Sequence, residues 1–176
     1  NPNVAATPDT VAIDTENPTV AINIVETSLS DGGNSSEVTF VFSEVPVGFA
    51  IGDISATNGT ISALSEDLAT DATGKTWTAT FTADDDFDGT GSVTVDASKF
   101  TDAALNANDA ATPDTVTIDT ENPTVVSILM SDEALKIGDT STVTIEFSEK
   151  VTGFDKNDVT VDNGTVGDFS SADDIT

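Results

Sequence analysis

The chain has no cysteine, no histidine and no arginine, and only five basic residues, all lysine, among its 176. Each absence closes off some chemistry. Without cysteine no disulfide braces the fold and thiol catalysis is excluded. With neither histidine nor cysteine, zinc has none of its usual nitrogen and sulfur ligands, and no imidazole can move protons near neutral pH. So few basic groups argue against nucleic acid or an anionic membrane surface as a direct partner, because phosphate binding relies on Lys and Arg. No apolar run approaches the roughly 18–20 residues of a membrane span, so membrane insertion is not expected. No signal peptide is visible, as expected of an internal slice of a longer protein. No nucleophile stands beside a base and no glycine-rich loop could cradle a phosphate. An enzyme is therefore the least expected class.

What is present in quantity is acid. Thirty-two Asp and Glu residues bring the formal net charge to −27. That charge keeps an extended molecule soluble and self-repelling, and bound cations would relieve the repulsion. Acidic surfaces are also common in secreted and salt-adapted proteins, which is an alternative account of the bulk charge. A chain without disulfides that works outside the cell often uses metal ions as staples instead.

The sequence repeats itself. IDTENPTV occupies residues 13–20 and returns at 118–125, an offset of 105 positions. Further matches keep that offset: Phe42-Ser43-Glu44 with Phe147-Ser148-Glu149, Gly48-Phe49 with Gly153-Phe154, Asn58-Gly59-Thr60 with Asn163-Gly164-Thr165, and Ala5–Val11 with Ala110–Val116. The offset is expected to hold without a gap. A period near 100 residues exceeds the roughly 20–50 of a solenoid unit and suits one self-contained domain in a tandem array. Residues 1–14 are then the C-terminal strand of a preceding repeat, 15–119 one complete repeat, and 120–176 the incomplete N-terminal half of the next. Pro18 and Pro123 at the boundaries predict short, stiff junctions.

Apolar residues alternate with polar ones almost throughout, as in Val38, Phe40 and Phe42, or Trp77, Ala79 and Phe81. Period two with Val, Ile, Thr and Phe enrichment predicts half-buried strands over 18–27, 36–43, 51–57, 60–64, 76–83, 91–97 and 112–119. Trp77 is in phase with this core pattern rather than placed to stack on a sugar. Seven short strands in about 100 residues predict an all-β, immunoglobulin-like Greek-key sandwich, with an antiparallel barrel as the alternative.

In that topology three acidic groups converge at one end of each repeat. They are the boundary residues Asp14 and Glu16, Glu44 after the second strand, and the loop carrying Asp102, Asn106 and Asn108. Asp119, Glu121 and Glu149 occupy the corresponding positions of the next repeat. Clustered carboxylates repel unless a cation sits among them, and hard oxygen donors select Ca²⁺. A second acidic run, Asp84–Asp88, lies in a loop at the opposite end, from which Asp86 and Asp88 would supply ligands towards Asp119 and Glu121. The competing account is that Asp and Asn fill these loops because they make good turns and caps.

Phe42-Ser43-Glu44, Gly48-Phe49, Asp53-Ile54, Asn58-Gly59-Thr60, Thr101–Asn106 and the Ile-Asp-Thr-x-x-Pro boundary together resemble the bacterial immunoglobulin-like repeats of giant secreted adhesins, including RTX-type and biofilm-associated surface proteins. One departure is Leu105, where that family usually has glycine. The resemblance implies a sandwich used as a spacer, stiffened by Ca²⁺ between neighbouring repeats of the same chain. It also implies type I export and an extracellular or cell-surface location. Two other functions remain open: a module that itself binds glycan or protein, and a subunit that self-associates into a fibre or surface layer by donating its N-terminal segment as a strand.

Overall fold

The computed structural model describes residues 2, 3 and 5–175; Asn1, Val4 and Thr176, which fall in the expected terminal segments, lie outside the described residues. The chain divides into two units, Asn1–Glu121 and Asn122–Thr176.

The first unit is a two-sheet sandwich. Its strands are β1 (Val20–Ile24), β2 (Ser28–Ser30), β3 (Ser35–Phe42), β4 (Ile54–Thr57), β5 (Gly59–Glu66), β6 (Thr76–Ala83), β7 (Asp88–Val95) and β8 (Asp114–Asp119). One sheet has the order β1-β3-β6-β5 and the other β2-β8-β7-β4. All neighbours are antiparallel except β2 and β8, which run parallel with Leu29 beside Ile118. The alternation read from the sequence is realised. Val38, Phe40 and Phe42 of β3 and Phe81 of β6 point inward against Val93, Val95, Val116 and Ile118 of the facing sheet. Each such side chain contributes roughly 1.5–3 kcal/mol by leaving water.

Two expected strands come out differently. The segment 18–27 is divided between the sheets, because the chain crosses over after Ile24. There the Ile24 N–H donates to Asp114 Oδ2 at 2.7 Å and the Glu26 N–H to Ser36 Oγ at 2.9 Å. These side chains satisfy the backbone where the β1 ladder stops. The segment 51–57 begins as a 3₁₀ turn, Ile51–Asp53, closed by Asp53 Oδ2 accepting from the Ala50 N–H at 2.8 Å. The second copy repeats that closure at Asp158 and Asp155, at 2.9 Å. Asn58-Gly59, which follows segment 51–57, joins strands of different sheets. Asn58, at φ 56°, carries the chain from β4 in one sheet to β5 in the other. A Cβ on Gly59 would lie 2.4 Å from Phe81 Cζ, so the crossing requires glycine.

Residues 5–19 form no strand and are exposed except for Pro18. The segment expected to be the last strand of a preceding repeat thus runs here without a ladder partner.

The second unit contains β9 (Val125–Met130) and β10 (Val143–Phe147), an antiparallel pair. Its pairing corrects the gapless offset. Val125 lies opposite Phe147 as Val20 lies opposite Phe42, but Ile128 then lies opposite Ile145 where Ile22 lies opposite Phe40. Val126 is the extra residue of a β-bulge, and the loop before β10 absorbs it. Beyond the bulge the repeat resumes, and Phe147 meets Phe154 edge-on at 5.0 Å as Phe42 meets Phe49 at 4.9 Å.

Candidate metal centre

Three loops meet at one end of the sandwich. The first element, the segment before β1, is fixed by Ser43. Its N–H donates to the Thr19 carbonyl at 2.9 Å and its hydroxyl accepts from the Thr19 N–H at 2.9 Å. This two-way bond sets Glu44 beside residues 14–17. Thr124 and Ser148 repeat both bonds at 2.9 Å. The serine of Phe-Ser-Glu was not singled out as a positioning residue from the sequence, although its recurrence at the fixed offset was the available signal.

The long loop between β7 and β8 is the second element. Buried Phe100 anchors it in the core, where the ring lies 5.1 Å from Phe42. Thr101 then exchanges two backbone hydrogen bonds with Val47, at 2.7 and 3.1 Å, which stitches this loop to the one carrying Glu44. Asp102 follows and is fully buried. Its Oδ1 accepts the Asn106 N–H and its Oδ2 accepts the Asn106 side-chain amide, each at 2.8 Å. The same amide nitrogen reaches the Asp14 carbonyl at 3.3 Å. Asn17 Nδ2 donates to Asp109 Oδ1 at 2.8 Å, and the Asp109 N–H donates to the Pro18 carbonyl at 3.1 Å. The segment before β1 is therefore tied to the long loop at three points.

This architecture brings Asp14, Glu44 and Asp102 together, with one carboxylate oxygen from each lying within 4.8 Å of the others. Burial pushes the Glu44 carboxyl above its ordinary value, and the charges of Asp14, Asp102 and Glu16 push it further; Lys75 opposes them. Lys75 Nζ donates to the Ser43 carbonyl at 2.7 Å. It is the nearby cation that the sequence did not reveal. Asp102 goes the other way. Burial alone would raise its carboxyl, but hydrogen bonds from the Asn106 side chain and from the backbone of Asn106, Ala104 and Leu105 outweigh burial and leave it below the ordinary range. Asp102 is thus held as a carboxylate, and Glu44 bears the repulsion. The donors are all oxygens, which suits a hard divalent cation of the Ca²⁺ type.

Leu105 adopts φ 72° and is exposed. That is the left-handed region glycine favours, and Leu105 occupies it in the loop around Asp102.

The other expected ligands are placed elsewhere. Asn108 is a correction. Its Oδ1 accepts the N–H groups of Lys99 and Phe100 at 2.7 and 3.0 Å, and its Nδ2 donates to the carbonyls of Asp96 and Asp109 at 2.9 and 2.8 Å. A buried amide so employed holds the loop and has no oxygen left to aim at an ion. Asp86 and Asp88 are separated from the carboxylate group by the length of β7, and Asp88 lies in that strand opposite Asp119. Buried Thr120 organises this end by donating its hydroxyl to the Asp84 carbonyl at 2.8 Å and accepting the Phe87 N–H at 3.1 Å. Glu121 closes the first unit and Glu149 belongs to the second. Among the described residues no other three carboxylates meet in this way. Trp77 packs edge-on against Phe49 at 5.6 Å and donates its indole N–H to the Gly74 carbonyl at 3.2 Å, a core role as expected.

A family model described as a bacterial Ig-like domain matches residues 14–118 and again 119–176. The two matches meet at the repeat boundary within one residue of where the internal repetition divides the sequence. No curated protein and no solved structure matches the chain.

Proposed function

The chain belongs to the bacterial Ig-like domain family, and from that premise we propose that it is a spacer: part of the stalk of a secreted or cell-surface bacterial adhesin, stiffened by Ca²⁺. Domains of this family are commonly found in surface proteins and are typically non-catalytic. No helix among the described residues is long and apolar enough to cross a membrane. The observation that carries the calcium reading is the convergence of Asp14, Glu44 and Asp102.

Asp102 and Glu44 belong to loops rooted in the sandwich, whereas Asp14 belongs to the segment that leads into it. A Ca²⁺ ion bound among them would neutralise the cluster and pin that segment to the end of the sandwich. Asn106 already holds Asp102 and the Asp14 backbone in place, and Glu16, two residues further on, is near enough to add its charge. Pinning the leading segment fixes the direction from which a preceding repeat would approach, which is what a stiff stalk needs.

The test is calorimetric titration of Ca²⁺ into the chain and into Asp14→Asn. Asp14 is exposed, so the substitution leaves the core intact. The expected result is saturable uptake by the chain, weakened at least about tenfold in the variant, equivalent to roughly 1.4 kcal/mol. Equal heats from both proteins, or none from either, would remove the clamp and leave the proposed spacer without its calcium.

A further inference from the structure

Aspartate precedes glycine at two places in the chain, Asp31-Gly32 and Asp88-Gly89, both in the first unit. In such a pair the glycine nitrogen meets the least hindrance on its way to the aspartate Cγ, because glycine has no Cβ and the widest backbone freedom. The fold treats the two pairs differently. Asp88 lies in β7 opposite Asp119. The Thr120 N–H donates to the Phe87 carbonyl, so the alternation of the antiparallel ladder turns the Gly89 N–H to the Ile118 carbonyl. The Phe87 ring also lies against Gly89, 2.8 Å from where a Cβ would stand. Asp31 and Gly32 instead form the middle of the turn between β2 and β3. Ser30 and Gly33 close that turn by exchanging backbone hydrogen bonds at 2.9 and 3.3 Å. Asp31 and Gly32 are both exposed. Among the described residues nothing bonds to the Asp31 carboxylate or to the Gly32 N–H. Apart from the chain neighbours, no heavy atom lies within 4 Å of a Cβ placed on Gly32.

We propose that Asp31 is a site of spontaneous conversion to isoaspartate, and that the β7 ladder protects Asp88 from the same reaction. The Gly32 nitrogen attacks Asp31 Cγ. The N–Cγ bond forms and a Cγ–O bond breaks, and that oxygen leaves as water with the amide proton and the carboxyl proton. The product is a five-membered succinimide. Water then opens the ring at either carbonyl. Cleavage of the new N–Cγ bond restores aspartate. Cleavage between the nitrogen and the Asp31 main-chain carbonyl carbon leaves the chain running through Cβ and Cγ. Water is the only co-reactant, nothing is oxidised or reduced, and the mass is unchanged, but the main chain gains one methylene. A turn closed this tightly has no slack for another backbone atom, so the Ser30–Gly33 pairing is lost. That pairing ends β2, a three-residue edge strand that sets Leu29 beside Ile118. The attack needs the pair to leave its resting geometry briefly, which an exposed turn does at small cost and a strand ladder does only by opening locally. This inference depends neither on calcium nor on the spacer role.

The test is to age the full chain in neutral buffer at physiological temperature and to map its peptides by electron-transfer fragmentation, which splits isoaspartate at its main-chain Cα–Cβ bond. Isoaspartate is expected to accumulate at Asp31 at least about tenfold faster than at Asp88, the factor imposed by roughly 1.4 kcal/mol of local opening. In denaturant, where the ladder is gone, the two rates are expected to converge. Gly32→Ala fits the open space at a φ outside the left-handed region, so the turn is kept. It is expected to slow conversion at Asp31 roughly tenfold, because the methyl group restricts the backbone and shields the nitrogen. An Asp31 that stays intact, equal conversion of Asp31 and Asp88 in the folded chain, or an unchanged rate in Gly32→Ala would overturn the proposal.

Discussion

Val20 and Val125 begin the same repeated strand, yet Val20 is 6% exposed and Val125 53%. Ile24 and its structural counterpart Met130 differ as widely, at 5% and 54%. The local sequences are alike in pattern, and both units build the first hairpin-like pair and its Phe–Phe contact. What separates them is the strands that follow. In the first unit β6 closes the edge of β3, and β7 and β8 supply the opposite wall. The second unit has no equivalent among the described residues. An amphipathic strand pair states which face wants to be covered; the cover comes from residues far along the chain.

The sharpest way to break the comparison is a matched pair of core truncations. Phe81→Ala removes a fully buried ring that fills the space beside Gly59 and Gly91, and is expected to destabilise the first unit by about 3–5 kcal/mol. Phe147→Ala removes a half-buried ring and is expected to cost about 1 kcal/mol or less. Denaturant titration followed by Trp77 fluorescence reports the first unit, and exchange of β10 amides reports the second. Equal losses would mean that the second unit buries more than its geometry shows.

A second contrast concerns charge. In the metal-free chain the Glu44 carboxyl is raised, so the folded state holds its proton more tightly than the unfolded state. That preference favours the fold at pH below the ordinary carboxylate range and is lost as pH rises through the raised folded value. Asp102, lowered, favours the fold above the ordinary range and gives that up as pH falls through its folded value. Glu44→Gln is therefore expected to raise the Tm of the first unit in chelator at pH 7, to have no such effect at pH 3, and to abolish any rise in Tm on adding Ca²⁺. Scanning calorimetry at both pH values checks all three. A lower Tm at pH 7 in chelator would show that Glu44 is not under repulsive strain.

The smallest expected effect is at Leu105. Its left-handed backbone costs a non-glycine residue roughly 1–2 kcal/mol, partly offset because glycine is more flexible when unfolded. Leu105→Gly is expected to stabilise the first unit by about 0.5 kcal/mol, read from the denaturation midpoint. Destabilisation would mean that the leucine side chain makes a contact worth more than the strain.

Much of the candidate site was legible in advance. The recurrence of Asp-Thr-Glu-Asn and Phe-Ser-Glu, placed on a Greek-key frame, brought Asp14, Glu44 and Asp102 to one end, and the structure places them there. Asn108 was not legible as a structural residue, because its four hydrogen bonds go to backbone groups that only the folded loop assembles. Lys75 escaped notice because it reaches Ser43 from the start of the neighbouring strand β6, 32 positions away in the chain. The division of residues 18–27 between sheets, and the crossing at Asn58, escaped period-two analysis because alternation reports a strand's inner face and not the sheet to which it belongs.

By itself the sequence determined that the chain is built of strands, that it repeats at 105 residues, and that only oxygen donors are offered to an ion. These follow from side-chain chemistry and spacing, which are local properties. The tertiary structure alone decided which of the thirty-two acidic groups share a site, where Val126 bulges, and which strands cover the inner face of β3. Those outcomes depend on segments distant in sequence meeting in space, and on the water they displace when they do.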